Sequence, residues 1–290
     1  KIADFGADAV IVQDLGVAKS VREICPSLPM HASTQMSVGT LQGLYELKEM
    51  GFTRAVLPRE LSFSEIEYLC KHSPIELEMF VHGALCMCVS GQCLMSAVLG
   101  SRSGNRGLCA QPCRLPFKVE KGTGHDLSLK DLSLITHIRK LSEMGICSFK
   151  IEGRMKRPEY VSACVTACKK AVKDEYNFDI EKDLHDLFSR SGFTDGYFED
   201  KRGRNMFGYR EKENVQSATK ELLHKYASIY EKEQSRFTVN FTFSGAIGEN
   251  AVLKASCNGK QVEVKSENLC EAPINRPIAV ERIVDALKKC

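Results

Sequence analysis

Several features of common enzymes and membrane proteins are missing from this 290-residue sequence. No apolar run approaches the length of a membrane span and no charged-then-apolar leader opens the chain, so we expect no membrane span and a cytoplasmic location. Neither GxSxG nor HExxH occurs, which removes the usual signals of a serine hydrolase and of a zinc protease. No glycine-rich phosphate fingerprint follows an apolar run, which argues against a dinucleotide-binding sheet.

The cysteine usage and the net charge narrow the class of protein further. The thirteen cysteines are unevenly spaced, odd in number and mostly inside apparent helices and strands. This usage favours a reducing compartment over a disulfide-stabilised secreted protein. The formal net charge of +3 is too small to predict nucleic-acid binding by itself. Because the chain opens at Lys1, inside what reads as the end of a helix, we expect a fragment of a longer protein.

Five of the cysteines fall in one glycine-rich segment, residues 76–118. Six residues separate Cys86 from Cys93, fifteen separate Cys93 from Cys109, and three separate Cys109 from Cys113. Four thiolates on a loop that can fold closely around a buried object suit a 4Fe-4S cluster or a structural zinc ion. The pair of CxxC motifs common in zinc sites is absent, which mildly favours iron-sulfur, and unligated thiols stay open as a third interpretation.

Apolar runs alternate with helical patterns along most of the chain. Six runs read as strands, at residues 8–14, 29–35, 54–60, 75–82, 126–132 and 147–153. Repeated strand-helix units predict a parallel sheet with right-handed crossovers. We therefore expect an α/β fold, a TIM-type (β/α) barrel truncated at its N-terminus, with a doubly wound open sheet as the alternative.

The patterns divide the chain into three expected domains. The barrel is predicted over residues 1–176, with a cysteine-rich loop at 83–118, and a helical connection over 177–234. From 235 to 290 the apolar residues alternate at period two, and Asn258-Gly259 marks a hairpin turn. A partial β-rich accessory domain is predicted there.

Polar side chains recur where the predicted strands end. In a (β/α) barrel these ends form the active-site face, so we expect the side chains to converge. Ion pairs at a barrel rim would explain each residue alone, whereas the whole set favours a polar pocket for an anionic ligand. The set comprises Gln13, Asp14, His31, Gln35, Arg59, Glu60, His82, Lys130, Lys150, Glu152 and Arg154.

Three stretches carry a resemblance to one protein family. Residues 78–96 contain Glu-x-Phe-x-x-Gly-Ala-Leu-Cys and then Gly-x-Cys-x-Met-Ser, RGLCAQPCR follows at 106–114, and FKIEGRMKRPEYV at 149–161. In this order they resemble the signatures of peptidase family U32, the collagenase-like proteases. The segment from Arg190 to Tyr197 resembles the family's motif after the barrel.

The resemblance implies redox chemistry more than proteolysis. Relatives within the family are oxygen-independent hydroxylases of RNA bases or quinone rings, which hold a 4Fe-4S cluster on cysteines matching the four here, and the RNA-modifying ones depend on prephenate. We therefore expect an RNA hydroxylase, nearest the ribosomal-RNA cytidine type because of the accessory domain, with the wobble uridine of tRNA as the other target. Two alternatives stay open: a collagenase-like peptidase using Cys86 or Cys93 with His82, and a non-catalytic RNA-binding module with a structural metal.

The hydroxylase hypothesis assigns roles to the strand-end residues. A small carboxylate co-substrate such as prephenate needs cationic partners, and arginine pairs with carboxylates through two hydrogen bonds. Glu152 is the candidate proton acceptor or the partner that holds Arg154. The residues expected to bind substrate are His31, Gln35, Arg59, Lys130 and Arg154, and the catalytic candidates are Glu152, Lys150 and His82.

RNA is expected to enter over the basic loop. Arg102, Arg106 and Arg114 lie in a stretch, residues 84–118, that contains no acidic residue. Phosphate contacts would position the RNA there while one unstacked base reaches the pocket. A solvated face around a loop is the alternative explanation of this charge pattern.

Overall fold

The computed structural model describes residues 1–231, 238–273 and 277–287. The chain divides into two compact units, Lys1–Glu231 and Lys232–Cys290. The end of the predicted helical connection, from 232 to 234, lies outside the described residues, as do 235–237, 274–276 and 288–290 of the predicted accessory domain.

Four parallel strands begin the sheet of the first unit, in the order β1-β2-β3-β4. They are β1 (Val10–Val12), β2 (Met30–Ala32), β3 (Phe52–Val56) and β4 (Glu76–Ala84). The helices between them are α1 (Leu15–Ile24), α2 (Leu41–Glu49) and α3 (Phe63–His72). The predicted alternation of strands and helices is confirmed over this part of the chain.

Local sequence explains where these helices begin and end. Asp14 caps α1 by accepting a hydrogen bond from the Val17 amide at 2.9 Å. Ser62 and Glu65 form a capping box at the start of α3. Gly51 follows α2 with φ of 86°, the left-handed conformation that ends many helices. Each device satisfies backbone groups that a helix end leaves without partners.

β4 is the strand around which the rest of the sheet is arranged. At Leu77 and Glu78 it lies between β3 and the parallel strand β6 (Ile146–Ile151), and at His82 it lies between β6 and the antiparallel strand β5 (Asp131–Ser133). β5 pairs in parallel with β7 (Phe193–Thr194). α4 (Met95–Gly100) lies in the cysteine-rich loop, and α5 (Ile138–Met144) connects β5 to β6.

The observed topology corrects the predicted barrel. The chain leaves β4 at Ala84 and returns after the cysteine-rich loop at Asp131, which is the register partner of Ala84, so β5 runs antiparallel and begins at 131 rather than 126. Among the described residues the strands do not close on themselves. The fold is therefore a mostly parallel α/β sheet with helices, and a TIM-type barrel is not confirmed.

Helices from the second half of the first unit pack with one another. α6 (Pro158–Val172) packs against α7 (Phe178–Leu187) and α9 (Lys220–Ala227), and α8 (Lys212–Gln216) lies between the last two in sequence. Most of the predicted connection therefore belongs to the first unit. The hydrophobic core of the first unit contains buried residues of both the sheet and the helices, among them Met30, Leu44, Val81, Leu141 and Leu184.

The second unit contains a small antiparallel sheet. Its strands β8 (Asn240–Ser244), β9 (Asn250–Cys257) and β10 (Lys260–Leu269) are ordered β10-β9-β8, and α10 (Val280–Leu287) follows. Asn258 and Gly259 join β9 to β10 with φ of 47° and 77°, which confirms the predicted hairpin turn. None of the helices in the described parts of the chain is long and apolar enough to cross a membrane.

Candidate functional site

The cysteine-rich loop folds back over the strand ends, and glycines make the approach possible. Gly83 has φ of 116° and lies against the Glu152 backbone, while Gly91 has φ of 78° and lies against the Gln35 carbonyl group. A Cβ atom at either glycine would overlap a backbone oxygen. The loop is therefore fitted to the segments that follow β2 and β6.

Side-chain hydrogen bonds fasten the loop at two further points. Glu60, which follows β3, accepts from the Ser90 amide at 3.0 Å and from its hydroxyl at 3.1 Å. Arg154, which follows β6, donates to the Gly107 carbonyl oxygen at 2.6 Å. The Glu152 carboxylate accepts from the Arg154 amide at 3.1 Å. Glu60, Glu152 and Arg154, all predicted strand-end residues, thus help to hold the loop.

Arg114 also holds the loop rather than facing solvent. It donates to the Leu129 carbonyl oxygen at 2.6 Å, to the Ser128 hydroxyl at 3.1 Å and to the Leu85 carbonyl oxygen. Burial, with Arg190 nearby, lowers the pKa of the Arg114 guanidinium. Of the three arginines predicted to contact RNA, Arg102 and Arg106 are exposed, and Arg102 donates through Nε to the Leu108 carbonyl oxygen at 2.9 Å.

The four predicted ligand thiols lie within electrostatic range of one another. Cys86 interacts with Cys109 and Cys113, and Cys113 interacts with Cys93 and Cys109. Surrounding atoms desolvate the Cys86 and Cys113 thiols and raise their pKa. The Cys109 sulfur accepts from the Gln111 amide at 3.3 Å, and the Ser96 hydroxyl lies 3.7 Å from it. Such hydrogen bonds orient and stabilise a ligand sulfur.

Four thiols on one loop are a donor set that both a 4Fe-4S cluster and a structural zinc ion can use. In a 4Fe-4S cluster each thiolate binds a different iron, whereas zinc holds four sulfurs at about 2.3 Å from one point. Among the described residues, only His137, Asp195 and Glu199 bring three ligand atoms within 4.8 Å of one another. No three of the cysteine sulfurs in the described parts of the chain are that close.

Cationic side chains surround the thiols. The Arg59 guanidinium lies over the Phe80 ring, 3.7 Å from its centre, and opposes the rise in the pKa of Cys86. Arg114 and Arg190 act in the same direction on Cys113. Nearby positive charge favours thiolates, which are the form that binds a metal. These cations therefore offset part of the desolvation that raises the pKa of the Cys86 and Cys113 thiols.

A polar network lies beside the loop on strands β2, β3, β4 and β6. Glu78 is 6% exposed and pairs with Lys150 at 3.0 Å and with Arg54 at 3.5 Å. Arg54 also pairs with Glu76 at 2.6 Å. Burial and then Arg54 lower the pKa of His31, so its neutral form is favoured. The structure thus brings the predicted residues His31 and Lys150 together.

Sequence reasoning missed Arg54, Glu76 and Glu78 in this network. The signal was present, because side chains alternate along a strand and Glu76, Glu78 and Phe80 occupy alternate positions of β4. Carboxylates at alternate positions of an otherwise apolar strand indicate a polar face. The sequence places Arg190 only in the motif at residues 190–197. In the structure Arg190 forms a buried ion pair with Asp131 and donates to Gln111 Oε1 at 3.2 Å.

Two predicted site residues lie elsewhere. His82 is 1% exposed; its ring packs against Phe193 and Tyr160, its Nδ1 lies 3.2 Å from the Ser133 hydroxyl, and burial lowers its pKa to about 3. His82 therefore belongs to the core and not to a solvent-facing site. Lys130 lies against Gly208, and its amide donates to the Met206 carbonyl oxygen at 2.8 Å.

Known proteins match this chain over most of the first unit. A family model described as peptidase family U32 matches residues 1–207. The chain is 34% identical over 236 residues to tRNA hydroxylation protein P1 of Bacillus subtilis, covering 74% of this chain and 56% of that protein. It is 40% identical over 163 residues to the 23S rRNA 5-hydroxycytidine synthase of Escherichia coli, covering 54% of this chain and 24% of that protein.

A third relative has a different name. The chain is 34% identical over 218 residues to a Porphyromonas gingivalis protein named Collagenase, covering 66% of this chain and 52% of that protein. No solved structure matches the chain. The chain spans 56% or less of the length of these three relatives. Because the family model covers strands β1 to β7 and the whole cysteine-rich loop, this chain belongs to peptidase family U32.

Proposed function

We propose that this chain carries the catalytic unit of an oxygen-independent RNA base hydroxylase, with Cys86, Cys93, Cys109 and Cys113 holding a 4Fe-4S cluster. The observation that carries the proposal is the placement of four thiols on one loop, fastened over the strand ends beside Arg59. The names of two relatives supply the substrate class, since one modifies tRNA and the other 23S rRNA. A cytoplasmic location is part of the proposal, because thiolate ligands need a reducing compartment.

Residues beside the loop can bind a small carboxylate co-substrate, for which we propose prephenate. Arg59 has a guanidinium that stacks on Phe80 near Cys86, and its planar fork suits a carboxylate. His31 is held neutral and can donate or accept a hydrogen bond, and Gln35 follows the same strand. Lys150 is oriented by Glu78 at 3.0 Å. When bound, the cluster supplies one-electron transfer or an iron site for a substrate.

The RNA would approach along the exposed part of the loop. Arg102 and Arg106 carry exposed cationic groups that can contact phosphates and so position a single-stranded segment. Arg154 and Glu152 fix the Gly107 side of the loop, so their role in this proposal is positioning. Ribosomal RNA and tRNA both stay open as targets in this proposal, because one relative is named for each.

A peptidase is the second candidate, because one relative is named Collagenase. A cysteine nucleophile needs a base within hydrogen-bond reach. The imidazole of His82 packs between Phe193 and Tyr160 and faces Ser133, so it offers no support for a pairing with Cys86 or Cys93. The geometry therefore favours the hydroxylase.

The first test is metal analysis of anaerobically purified protein, with Cys86, Cys93, Cys109 and Cys113 each replaced by alanine. We expect about four irons and four acid-labile sulfides per chain, lost in each variant. Cys147→Ala is the matched control, since Cys147 is an exposed thiol outside the loop, and it should keep its iron. Colourless, zinc-loaded protein would favour the structural-metal module, and iron-free protein that cleaves peptides would favour the peptidase.

The second test is mass spectrometry of nucleosides from ribosomal RNA and tRNA in cells that depend on this gene for hydroxylation. Arg59→Gln should remove the hydroxylated nucleoside while the iron content and the cluster absorbance stay at the parent level. If Arg59→Gln loses both iron and hydroxylation, Arg59 is needed for the cysteine-rich loop to hold iron, and its proposed role in binding the co-substrate is wrong.

A further inference from the structure

Three cations surround the ring of Phe188, the residue after α7. Lys156 Nζ lies 2.7 Å from the ring centre, Arg210 Cζ 4.3 Å and Arg190 Cζ 5.1 Å. All lie within the roughly 6 Å over which an aromatic face attracts a cation. They come from three separate segments, before α6, after α7 and before α8, so the fold brings them together. We call these three side chains the Phe188 cation cluster.

The cluster extends from the surface to the interior. Arg210 is exposed, Lys156 is half-buried and Arg190 is 5% exposed. At the inner end Arg190 donates to Gln111, which lies between Cys109 and Cys113 in the cysteine-rich loop. The cluster is separate from the Arg54, Glu78 and Lys150 network described above, and neither Lys156 nor Arg210 has a role in the proposed hydroxylation.

Positive charge exceeds negative charge at this place. Asp131, which is fully buried, pairs with Arg190 and is the carboxylate that acts on Lys156 and Arg210. Burial, and then Arg190, lower the pKa of Lys156 to about 7. The two guanidinium groups, and Lys156 when it is protonated, repel one another unless an anion lies between them, so one carboxylate leaves the cluster short of negative charge.

One fully buried polar atom at the inner end has no hydrogen-bond partner among the described residues. It is Asp131 Oδ2, the oxygen that does not pair with Arg190. Buried polar atoms in proteins are nearly always paired with protein, water or a ligand. A carboxylate acceptor without a partner beside these cations thus marks a place for a hydrogen-bond donor from outside the chain, such as an ordered water.

We propose that the Phe188 cation cluster binds an oxyanion, either the carboxylate of a small molecule or a phosphate group of RNA. Lys156 and Arg210 contact the anion, and Asp131 orients Arg190 behind it. Asp131 Oδ2 accepts a hydrogen bond from an ordered water and does not contact the anion. The site would hold its ligand next to the cysteine-rich loop through Arg190 and Gln111. The proposal concerns binding alone and does not depend on the hydroxylation.

Isothermal titration calorimetry on the anaerobically purified, iron-loaded full chain tests the proposal, with malonate, inorganic phosphate and a single-stranded RNA oligonucleotide as probes. Arg210→Gln and Lys156→Gln should each weaken binding about tenfold, as expected for loss of one charge-assisted hydrogen bond. Lys140→Gln is the matched control, because Lys140 lies 3.7 Å from the Phe63 ring centre, away from this cluster. Arg210 is exposed, so its replacement keeps the test valid if Lys156→Gln fails to fold.

The probes separate the two sources of the anion. If malonate binds the parent, binds about tenfold more weakly to Arg210→Gln and Lys156→Gln, and is not displaced by RNA, the ligand is a small carboxylate. If RNA binds and Arg210→Gln lowers its log-log salt slope by about 0.7, the ligand is a backbone phosphate. Equal affinities for the parent, both cluster variants and Lys140→Gln, or no binding of any probe, would overturn the proposal.

Discussion

His82 is a buried histidine that the fold keeps neutral. Its pKa is about 3 in the folded chain, against about 6.5 in an unfolded one. Below about pH 6.5 the unfolded chain therefore binds a proton that the folded chain does not bind, and stability falls as the pH is lowered toward 3. The slope from this residue is about 1.4 kcal/mol per pH unit, so the free energy of unfolding should lose about 2 kcal/mol between pH 7 and pH 5.

Urea titrations at both pH values measure this contribution. His82→Asn should unfold more easily at pH 7 and should show a drop between pH 7 and pH 5 that is about 2 kcal/mol smaller than in the parent. His72→Asn replaces an exposed histidine at the end of α3 and is the control for the loss of a histidine as such. A parent-like drop in His82→Asn would show that His82 is protonated in the folded chain.

Arg106 and Arg114 show how far sequence can assign roles to single residues. Both flank the same cysteine motif and carry the same charge, so pattern alone predicts RNA contacts for both. Arg114 instead donates to Leu85 and Leu129 carbonyl oxygens, whose positions depend on the path of the loop. The cysteines could be singled out because four thiols in one segment imply shared chemistry, whereas the partners of an arginine are fixed only by tertiary structure.

The cysteine-rich loop depends on its close approach to the segment after β2. A methyl group at Gly91 would overlap the Gln35 carbonyl oxygen and would also require a side chain at φ of 78°. We expect Gly91→Ala to lower the free energy of unfolding by about 1 kcal/mol for the backbone conformation and by a further 1–3 kcal/mol, roughly, for the overlap. Urea unfolding measures the loss, and iron content reports whether the loop still forms its site.

Gly124→Ala is the matched control for the overlap. Gly124 has φ of 96°, and a Cβ there would meet nothing within 4 Å, so only the conformational cost of about 1 kcal/mol applies. Its iron content should equal that of the parent. If the two alanine variants lose equal stability, the contact between Gly91 and Gln35 does not hold the loop.

The elements themselves were largely predictable from periodicity, but their directions were not. Helices α1 to α3 and strands β1 to β4 follow from local spacing and capping residues such as Ser62 and Glu65. The direction of β5 depends on where the long loop returns, and nothing in residues 126–132 encodes that. The antiparallel pairing of Ala84 with Asp131 is a non-local event, and it is the point at which the predicted barrel differs from the structure.

The two compact units predict a truncation that keeps the site. All four cysteines proposed as ligands, the strands they lie over and the helices α6 to α9 belong to the unit Lys1–Glu231. A chain ending at Glu231 should therefore fold cooperatively and keep the same iron and sulfide per chain, because the contacts that fasten the loop lie inside this unit. Thermal unfolding and metal analysis test this. Loss of iron in a truncated chain that still unfolds cooperatively would place part of the site in the second unit.

The pairing of Ala84 with Asp131 also bears on how the loop can change over time. Ala84 and Asp131, which flank the loop, are neighbours in the sheet, so the loop begins and ends at the same place. The entropic cost of closing a loop grows slowly with its length, by about 0.6 kcal/mol for each doubling. Insertions between the fastened points Ser90, Gly91 and Gly107 can therefore accumulate without shifting the register of any strand, so the sheet can stay constant while the loop changes in length.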